Sequence, residues 1–289
     1  MADFFRVFFL GFLCCGGLFA TTPAARSKRS HASGCSSISL PWLGFAMPRQ
    51  PYLRVVPHPK GAKIDIGTHV LQQRPELQAV IGDCLLSWPF VEAEMAVLLG
   101  LLIGAENQAA MAVFQSMRRS QAQREAISEA ARYAISPQDQ ELLSAILNVH
   151  KSAEAERNAL AHGHFGTSTK LPNDLIWQTT NDYLTFRAQM ALTNATWSDE
   201  THQSLLASIW VYTLKDLKMI EQDIKHLAHM WFDFLKYLQA HKRNTKKASE
   251  LYSQLCGRPR IAQELRILRQ KNNPSVPPQS PPPVDGEKA

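Results

Sequence analysis

Apolar residues recur at three- and four-residue steps along much of the chain, which is the spacing of one face of an α-helix. The first long run covers Pro75–Ile103 and predicts a helix that belongs to the core. Pro89 lies inside this run, so the pattern predicts a kink or a division at that point. The apolar positions of the run are Val80, Ile81, Cys84, Leu85, Trp88, Val91, Met95, Leu98, Leu99 and Leu102.

Two further helical segments follow. Residues 105–134 have helical spacing with a polar middle around Ser120, which predicts a break or a solvated face. Ser136 followed by Pro137 marks the start of another helix, because proline fits the first helical position. This helix is predicted to continue to Gly163, since glycine commonly follows a helix end.

The periodicity changes after the third helix. Residues 175–180 and 183–189 are rich in β-branched and aromatic residues on either side of Asn181-Asp182, which predicts a two-stranded hairpin. The pattern as a whole therefore predicts a mainly α fold. We expect an antiparallel helical bundle, with a small β-hairpin inserted between the third helix and a long closing helix.

The closing helix is predicted to run from Ser198, as its N-cap, to Leu238, where apolar residues again recur at helical spacing. A helix of about 40 residues would be roughly 60 Å long. The chain accordingly divides into a leader (1–46), an extended lead-in with four prolines (47–68), a helical domain (69–241), a basic linker with short helices (242–271) and a disordered proline-rich tail (272–289).

The leader contains an apolar run at residues 4–20, followed by basic residues at Arg26, Lys28 and Arg29. Three interpretations stay open at this point. The segment is an upstream extension or disordered leader of a product that starts at Met47, a signal peptide, or a membrane anchor. We expect a cytoplasmic protein without a membrane partner, with the signal or anchor as the alternative.

Composition narrows the function only slightly. A chain of 289 residues with 45% hydrophobic content can bury one main core, and its net charge of +6 leaves polyanionic partners open. The body of the chain holds only Cys84 and Cys256, with no C-x-x-C pair, so neither a disulfide framework nor a structural zinc site is expected. The sequence has no Gly-rich phosphate loop, G-x-S-x-G or H-E-x-x-H, and we expect no cofactor.

One heptapeptide near the end of the third helix carries candidate chemistry, Arg157-Asn158-Ala-Leu-Ala-His162-Gly. A guanidinium and an imidazole can hold a phosphate and move a proton beside it. On a helix Asn158 and His162 share a face, whereas Arg157 and His162 point about 140° apart. This geometry favours a site shared with a second surface.

A structural interpretation of the same residues stays open beside the catalytic one. In that case Arg157 pairs with a neighbouring carboxylate such as Glu154 or Glu156, while Asn158 is solvated and His162 caps the last helical turn.

The heptapeptide resembles the HEPN superfamily, whose signature is an arginine, a polar residue, a short spacer and a histidine. The resemblance extends to the order of elements over residues 66–241, with a first helix bearing Trp88, Glu92 and Glu94, a motif-bearing helix, an insertion and a closing helix. Catalytic HEPN proteins are metal-independent endoribonucleases that dimerise across a composite cleft. Other members bind nucleotide or RNA without cutting, or act as partners in toxin–antitoxin pairs.

The resemblance implies roles for individual residues. His162 would transfer protons during attack of a ribose 2′-hydroxyl on the adjacent phosphorus, and Arg157 would hold the phosphate. Asn158 would orient His162 or contact the RNA. Glu94, or alternatively Glu92, would contribute an accessory acid unless it is a solvated surface residue. The expected partners are RNA, a second copy of the chain and a small antitoxin, in toxin–antitoxin systems or phage defence.

Basic residues after the closing helix form a weaker candidate for RNA binding. Lys242, Arg243, Lys246 and Lys247 can follow RNA phosphates, or they can form a solvated linker. Two hypotheses therefore remain: a HEPN-type endoribonuclease, and a non-catalytic helical module that binds RNA or nucleotide or supports protein assembly.

Overall fold

The computed structural model describes residues 49–192, 199–243 and 246–272. The predictions made for the leader, for the Ser198 cap and for the tail beyond residue 272 lie outside these ranges. The described residues form a mainly α structure, as predicted, with one small antiparallel sheet.

Helices account for most of the described residues. They are α1 (Tyr52–Val55), α2 (His69–Gln72), α3 (Pro75–Ile103), α4 (Asn107–Ser116), α5 (Ser120–Ala134), α6 (Pro137–His162), α7 (Thr180–Leu192), α8 (Asp199–Ala207), α9 (Leu214–Lys242), α10 (Lys246–Gly257) and α11 (Pro259–Asn272).

Five strands of the described chain form one antiparallel sheet in the order β1-β5-β4-β3-β2. They are β1 (Gln50–Pro51), β2 (Ile64–Ile66), β3 (His164–Ser168), β4 (Leu171–Gln178) and β5 (Trp210–Tyr212). Both outer strands come from the lead-in, so this segment contributes to the sheet. The register pairs Gln50 with Val211 and Ile66 with Gly166.

The main core lies between three long helices, α3, α6 and α9, which contact one another. Helices α4 and α5 pack on α3, while α10 packs on α9 and α11 on α6. Strand β4 separates this core from a smaller one, because its side chains alternate between the two faces of the sheet. Leu175 and Trp177 join the main core, whereas Ile176 joins the small cluster that includes Tyr52 and Leu206.

Helix α3 has the bounds that its periodicity predicts, and it continues through Pro89 without dividing. It ends where Gly104 adopts a left-handed backbone with φ of 65°, a conformation that favours glycine. By length and composition α3 is also apolar enough to cross a membrane. Core helices of soluble proteins share this length and composition, and ten residues of α3, including Trp88 and Met95, are buried in the main core.

The predicted hairpin is wrong in position. The hairpin of this protein is formed by β3 and β4, and Asn181-Asp182 lies in the first turn of α7. Thr179 explains the difference, because its hydroxyl accepts a hydrogen bond from the Asp182 backbone N–H at 3.1 Å and donates to the Asp182 carboxylate at 2.6 Å. These bonds cap a helix at the point where a turn was expected.

The prediction of one long closing helix is also wrong. Residues 210–212 form β5, and α9 begins only at Leu214. Thr213 and Asp216 form a capping box at this point, in which the Thr213 hydroxyl accepts from the Asp216 N–H at 3.2 Å and the Asp216 carboxylate accepts from the Thr213 N–H at 2.8 Å. The helical spacing of the apolar residues before Thr213 reflects α8 and a buried strand.

Candidate functional site

The heptapeptide motif occupies the last turns of α6. This helix starts at Pro137, after Ser136, whose hydroxyl accepts a hydrogen bond from the Asp139 N–H at 3.2 Å. Its core-facing residues include Leu142, Leu143, Ile146, Val149, Ala153 and Leu160. The motif side chains lie outside this buried stripe: those of Arg157 and Asn158 are half-buried and that of His162 is exposed. All three predicted catalytic residues therefore reach the surface of the described domain.

Gly163 follows α6 directly, as predicted, but the reason for glycine differs from the expected one. Its backbone is extended, with φ of −84° and ψ of 165°, so the residue does not need glycine's left-handed freedom. Instead the indole of Trp177 packs against it, and a Cβ atom at Gly163 would lie 1.7 Å from Trp177 Nε1. The same Nε1 donates to the Ala159 carbonyl oxygen at 3.0 Å. Trp177 thus fixes the end of the motif helix against β4.

Arg157 has no carboxylate partner among the described residues. Its Nη1 donates to Asn158 Oδ1 at 2.9 Å, and its Nε is buried without a hydrogen-bond acceptor. Glu154 is paired with Arg124 instead, and Glu156 Oε2 is buried without a hydrogen-bond donor. The structural interpretation, in which Glu154 or Glu156 neutralises Arg157, is therefore not the arrangement observed.

Asn158 and His162 do not contact each other through a hydrogen bond in the described part of the chain. Asn158 is engaged by Arg157, and His162 is held through its main chain, whose carbonyl oxygen accepts a hydrogen bond from the Thr180 hydroxyl. Nearby, the His164 ring stacks on Tyr183 with centroids 4.0 Å apart. The start of α7 thus borders His162, and the His162 imidazole faces solvent.

The ring of Trp88 lies beside Arg157 and leads to two further rings in the core. The guanidinium carbon lies 5.8 Å from the ring centroid of Trp88, which α3 contributes. The Trp88 ring also contacts His150, with centroids 5.1 Å apart, and His150 in turn meets Trp231 of α9 at 6.0 Å. We call Trp88, His150 and Trp231 the ring cluster. Motif analysis missed His150, although it lies on the buried stripe of α6, two helical turns before Arg157.

His150 is an uncharged residue within the core. Its side chain is 1% exposed, and neither ring nitrogen has a hydrogen-bond partner among the described residues. Burial lowers the pKa of His150 to about 3, and the charge of Arg124 acts in the same direction. The imidazole is therefore neutral at physiological pH and contributes to this cluster by packing.

Glu94 is half-buried on α3, and burial raises its pKa above the usual range. The described residues give it no hydrogen bond or ion pair with Arg157 or His162. The acid that does approach this region is Glu92, which accepts a hydrogen bond from Trp88 Nε1 at 3.0 Å. The structure thus brings together Arg157, Asn158 and Trp88 and does not join Glu94 to them.

Arg49 is a further cation near the motif that sequence reasoning missed. Its guanidinium lies over the Trp177 ring at 4.2 Å and near the Trp210 ring at 5.3 Å, and its Nη1 donates to the Tyr212 hydroxyl at 3.1 Å. Burial raises the pKa of the Glu156 carboxyl, and the charge of Arg49 opposes that rise. No local motif marks Arg49, because its partners come from strands far along the chain.

Three of the four basic residues predicted to bind RNA lie at the ends of helices α9 and α10. Lys242 is the last residue of α9, and Lys246 and Lys247 begin α10. These three lysines and Arg243 are exposed. Three arginines further along are instead engaged by carboxylates, in the pairs Arg258–Asp233, Arg260–Asp223 and Arg269–Glu141.

No group of three or more His, Cys, Asp or Glu side chains arranged to hold a metal ion occurs within the described ranges. Comparison of the chain with protein-family models, with curated proteins and with solved structures finds no match. The functional argument therefore depends on the residues themselves.

Proposed function

We propose that the protein is a metal-independent endoribonuclease of the HEPN type, in which Arg157 and His162 cleave RNA through attack of a ribose 2′-hydroxyl. The observation that carries this proposal is the state of Arg157. Its guanidinium is half-buried, lacks a carboxylate partner among the described residues and keeps an Nε donor without an acceptor. A guanidinium that no carboxylate neutralises can take a phosphate as its counter-ion, because guanidinium–phosphate hydrogen bonds are charge-assisted and match in geometry.

The roles follow from the surroundings of each side chain. Arg157 holds the scissile phosphate and stabilises the charge that develops on it, because guanidinium presents planar, permanently charged donors. His162 is exposed at the end of α6, where it transfers protons to and from the reacting oxygens. Asn158 restrains Arg157 through the 2.9 Å hydrogen bond. The products carry 2′,3′-cyclic phosphate and 5′-hydroxyl ends.

A second copy of the chain completes the site in this proposal. Arg157 packs towards α3, whereas His162 extends into solvent at the helix end, so a single α6 does not direct both groups at one phosphate. Pairing two motif helices brings the Arg157 of one protomer to the His162 of its partner. A small antitoxin that covers this cleft, a cytoplasmic location and a role in toxin–antitoxin systems or phage defence belong to the same proposal.

The test is cleavage of a labelled RNA by the purified full chain in EDTA. We expect Arg157→Ala and His162→Ala each to lower kcat by about 100-fold or more, since general acid–base groups and charge-stabilising donors contribute on that order. Arg118→Ala and His229→Ala are matched controls at exposed positions away from α6 and should retain activity. Mass spectrometry should find the cyclic phosphate on the wild-type product.

Cleavage that persists in both motif variants would overturn the proposal, because Arg157 and His162 would then not be the groups that cut the RNA. Products with linear 3′-phosphate from the first time point, or cleavage abolished by EDTA, would contradict the 2′-hydroxyl mechanism. Size-exclusion chromatography with light scattering provides the separate test of dimerisation.

A second candidate function is RNA binding without cleavage, and the exposed basic residues at the α9–α10 junction favour it. Lys242, Arg243, Lys246 and Lys247 are all exposed and can contact phosphates. Replacing Lys246 and Lys247 by glutamine should reduce the slope of log affinity against log salt by about 2 if both contact phosphate, since each contact contributes nearly one. Gln replacement of exposed Lys60 and Lys63 is the charge-matched control.

A further inference from the structure

Trp88, one member of the ring cluster, lies beside the guanidinium of Arg157. The cluster therefore packs against the candidate site from the core side. We propose that Trp88, held in place by His150, is a positioning residue that sets the Arg157 guanidinium for the RNA phosphate. This inference rests on the proposed function, and it adds two residues outside the heptapeptide to the working site.

Arg157 needs a support beyond its own helix. Its one described hydrogen bond is to Asn158, the next residue, which moves with the same backbone. A long side chain tethered only in this way retains rotamer freedom, and fixing it on phosphate binding costs free energy. The Trp88 face comes from a different helix and lies 5.8 Å from the guanidinium carbon, within the range at which an aromatic ring attracts a cation.

Trp88 itself is firmly held. Its side chain is 3% exposed, and its Nε1 donates to Glu92 Oε1 at 3.0 Å on the same helix. The His150 ring lies 5.1 Å from it at an interplanar angle of 50°, and Trp231 lies against His150 from α9. Residues of three long helices therefore determine where the Trp88 face lies. This rigidity is what a positioning residue requires.

His150 acts in this arrangement as a packed ring and does not act as a proton carrier. Both of its nitrogens lack partners among the described residues, so its contribution to Trp88 is steric. A phenyl ring should replace it without loss of positioning, whereas alanine would leave a cavity beside Trp88. The pair of substitutions separates the packing role from imidazole chemistry.

The experiment measures RNA cleavage by the full chain for Trp88→Leu, Trp88→Phe, His150→Ala and His150→Phe, with Phe114→Leu as a buried control on α4. We expect Trp88→Leu to lower kcat/KM about tenfold, which corresponds to about 1.4 kcal/mol, mainly through kcat. Trp88→Phe and His150→Phe should stay within about threefold of wild type. His150→Ala should lower activity, and Phe114→Leu should not.

A double-variant cycle tests whether the effect passes through Arg157. In the Arg157→Ala background, Trp88→Leu should cause no further loss, because the group that it positions is absent. Additive losses would overturn the inference, and so would an equal loss in Phe114→Leu at matched thermal stability.

A readout without cleavage separates failure of this inference from failure of the proposed function. The Arg157 side-chain N–H resonance, identified by its disappearance in Arg157→Ala, should shift in Trp88→Leu as the ring current is lost. Titration with inorganic phosphate should move the same resonance, with an apparent affinity about tenfold weaker in Trp88→Leu. A wild-type chain that does not cut RNA but shows both effects would reject the ribonuclease and retain the positioning role. Phosphate binding unaffected by Trp88→Leu would reject the positioning role itself.

Discussion

Replacement of Gly163 by alanine tests the packing that holds the end of the motif helix. A Cβ atom at this position would lie 1.7 Å from Trp177 Nε1, 2.3 Å from Cε2 and 2.7 Å from Cδ1. Ordinary van der Waals contact needs about 3.5 Å, so the indole must move by about 2 Å. That movement breaks the hydrogen bond from Trp177 Nε1 to the Ala159 carbonyl oxygen.

The magnitude follows from these two effects. Overpacking costs about 1–3 kcal/mol, and loss of the indole hydrogen bond adds about 1 kcal/mol. We therefore expect Gly163→Ala to lower the free energy of unfolding by about 2–4 kcal/mol. For a domain of this size the melting temperature should fall by about 5–15 °C in a thermal scan followed by circular dichroism.

Two further variants make the result interpretable. Gly82 lies inside α3, and apart from the local helix backbone no atom of the described chain lies within 4 Å of the position that an added methyl group would take. Gly82→Ala should therefore raise stability by about 0.5–1 kcal/mol. Trp177→Ala removes all of the indole atoms that clash, so the cost of Gly163→Ala should be smaller by about 1 kcal/mol or more in that background. A melting temperature of Gly163→Ala within about 2 °C of wild type would refute the packing of Trp177 on Gly163.

Three other predictions concern stability. Tyr237→Phe leaves the buried Asp139 carboxylate without the donor from Tyr237 and should cost about 2 kcal/mol in urea denaturation, whereas an unchanged midpoint would contradict that bond. Thr213→Ala removes the capping box of α9 and should cost about 1 kcal/mol by the same method; no loss would contradict it. Because the pKa of His150 falls to about 3 on folding, the unfolded chain binds the extra proton as pH decreases from about 6.5 towards 3, and stability is lost in that window. His150→Phe should therefore reduce the slope of unfolding free energy against pH there by up to about 1.4 kcal/mol per unit, and an unchanged slope would contradict the lowered pKa.

Sequence patterns predict the long helices best, because their evidence is local. The bounds of α3 coincide with a continuous apolar run that has Pro75 at its start and Gly104 after its end. Helix α6 is equally well marked by Ser136, Pro137 and Gly163. In both cases the periodicity and the end signals agree, and each can be recognised within a single stretch of chain.

The errors have a shared physical cause. A Ser or Thr followed three residues later by Asp caps a helix at Ser136, Thr179 and Thr213. Periodicity and turn propensity outweighed this signal at Thr179 and Thr213, which led to a misplaced hairpin and a merged helix. Giving the Thr-x-x-Asp pattern the same weight as the proline after Ser136 would have divided the closing region correctly.

The candidate site was predictable only in part. The heptapeptide identifies Arg157 and His162, but the groups around them come from distant parts of the chain: Trp88 from α3 and Arg49 from the lead-in. Such contacts depend on tertiary packing and produce no recognisable pattern in the sequence. His150 is different, since a histidine on the buried stripe of α6 already marks a core position that requires an explanation.

The order of the strands along the chain determines when, during synthesis, the sheet beside the motif helix can be completed. Arg49 donates to Tyr212, and 163 positions separate the two residues, so roughly 8–30 s of translation pass before this partner is made. Helix α6 is complete about 50 residues before Tyr212, with Arg157 and His162 already in place. A nascent chain that ends before residue 210 therefore carries the full motif without β5. Ribosome-bound chains stalled before and after β5 would differ in whether β5 can pair with β4 next to the motif helix.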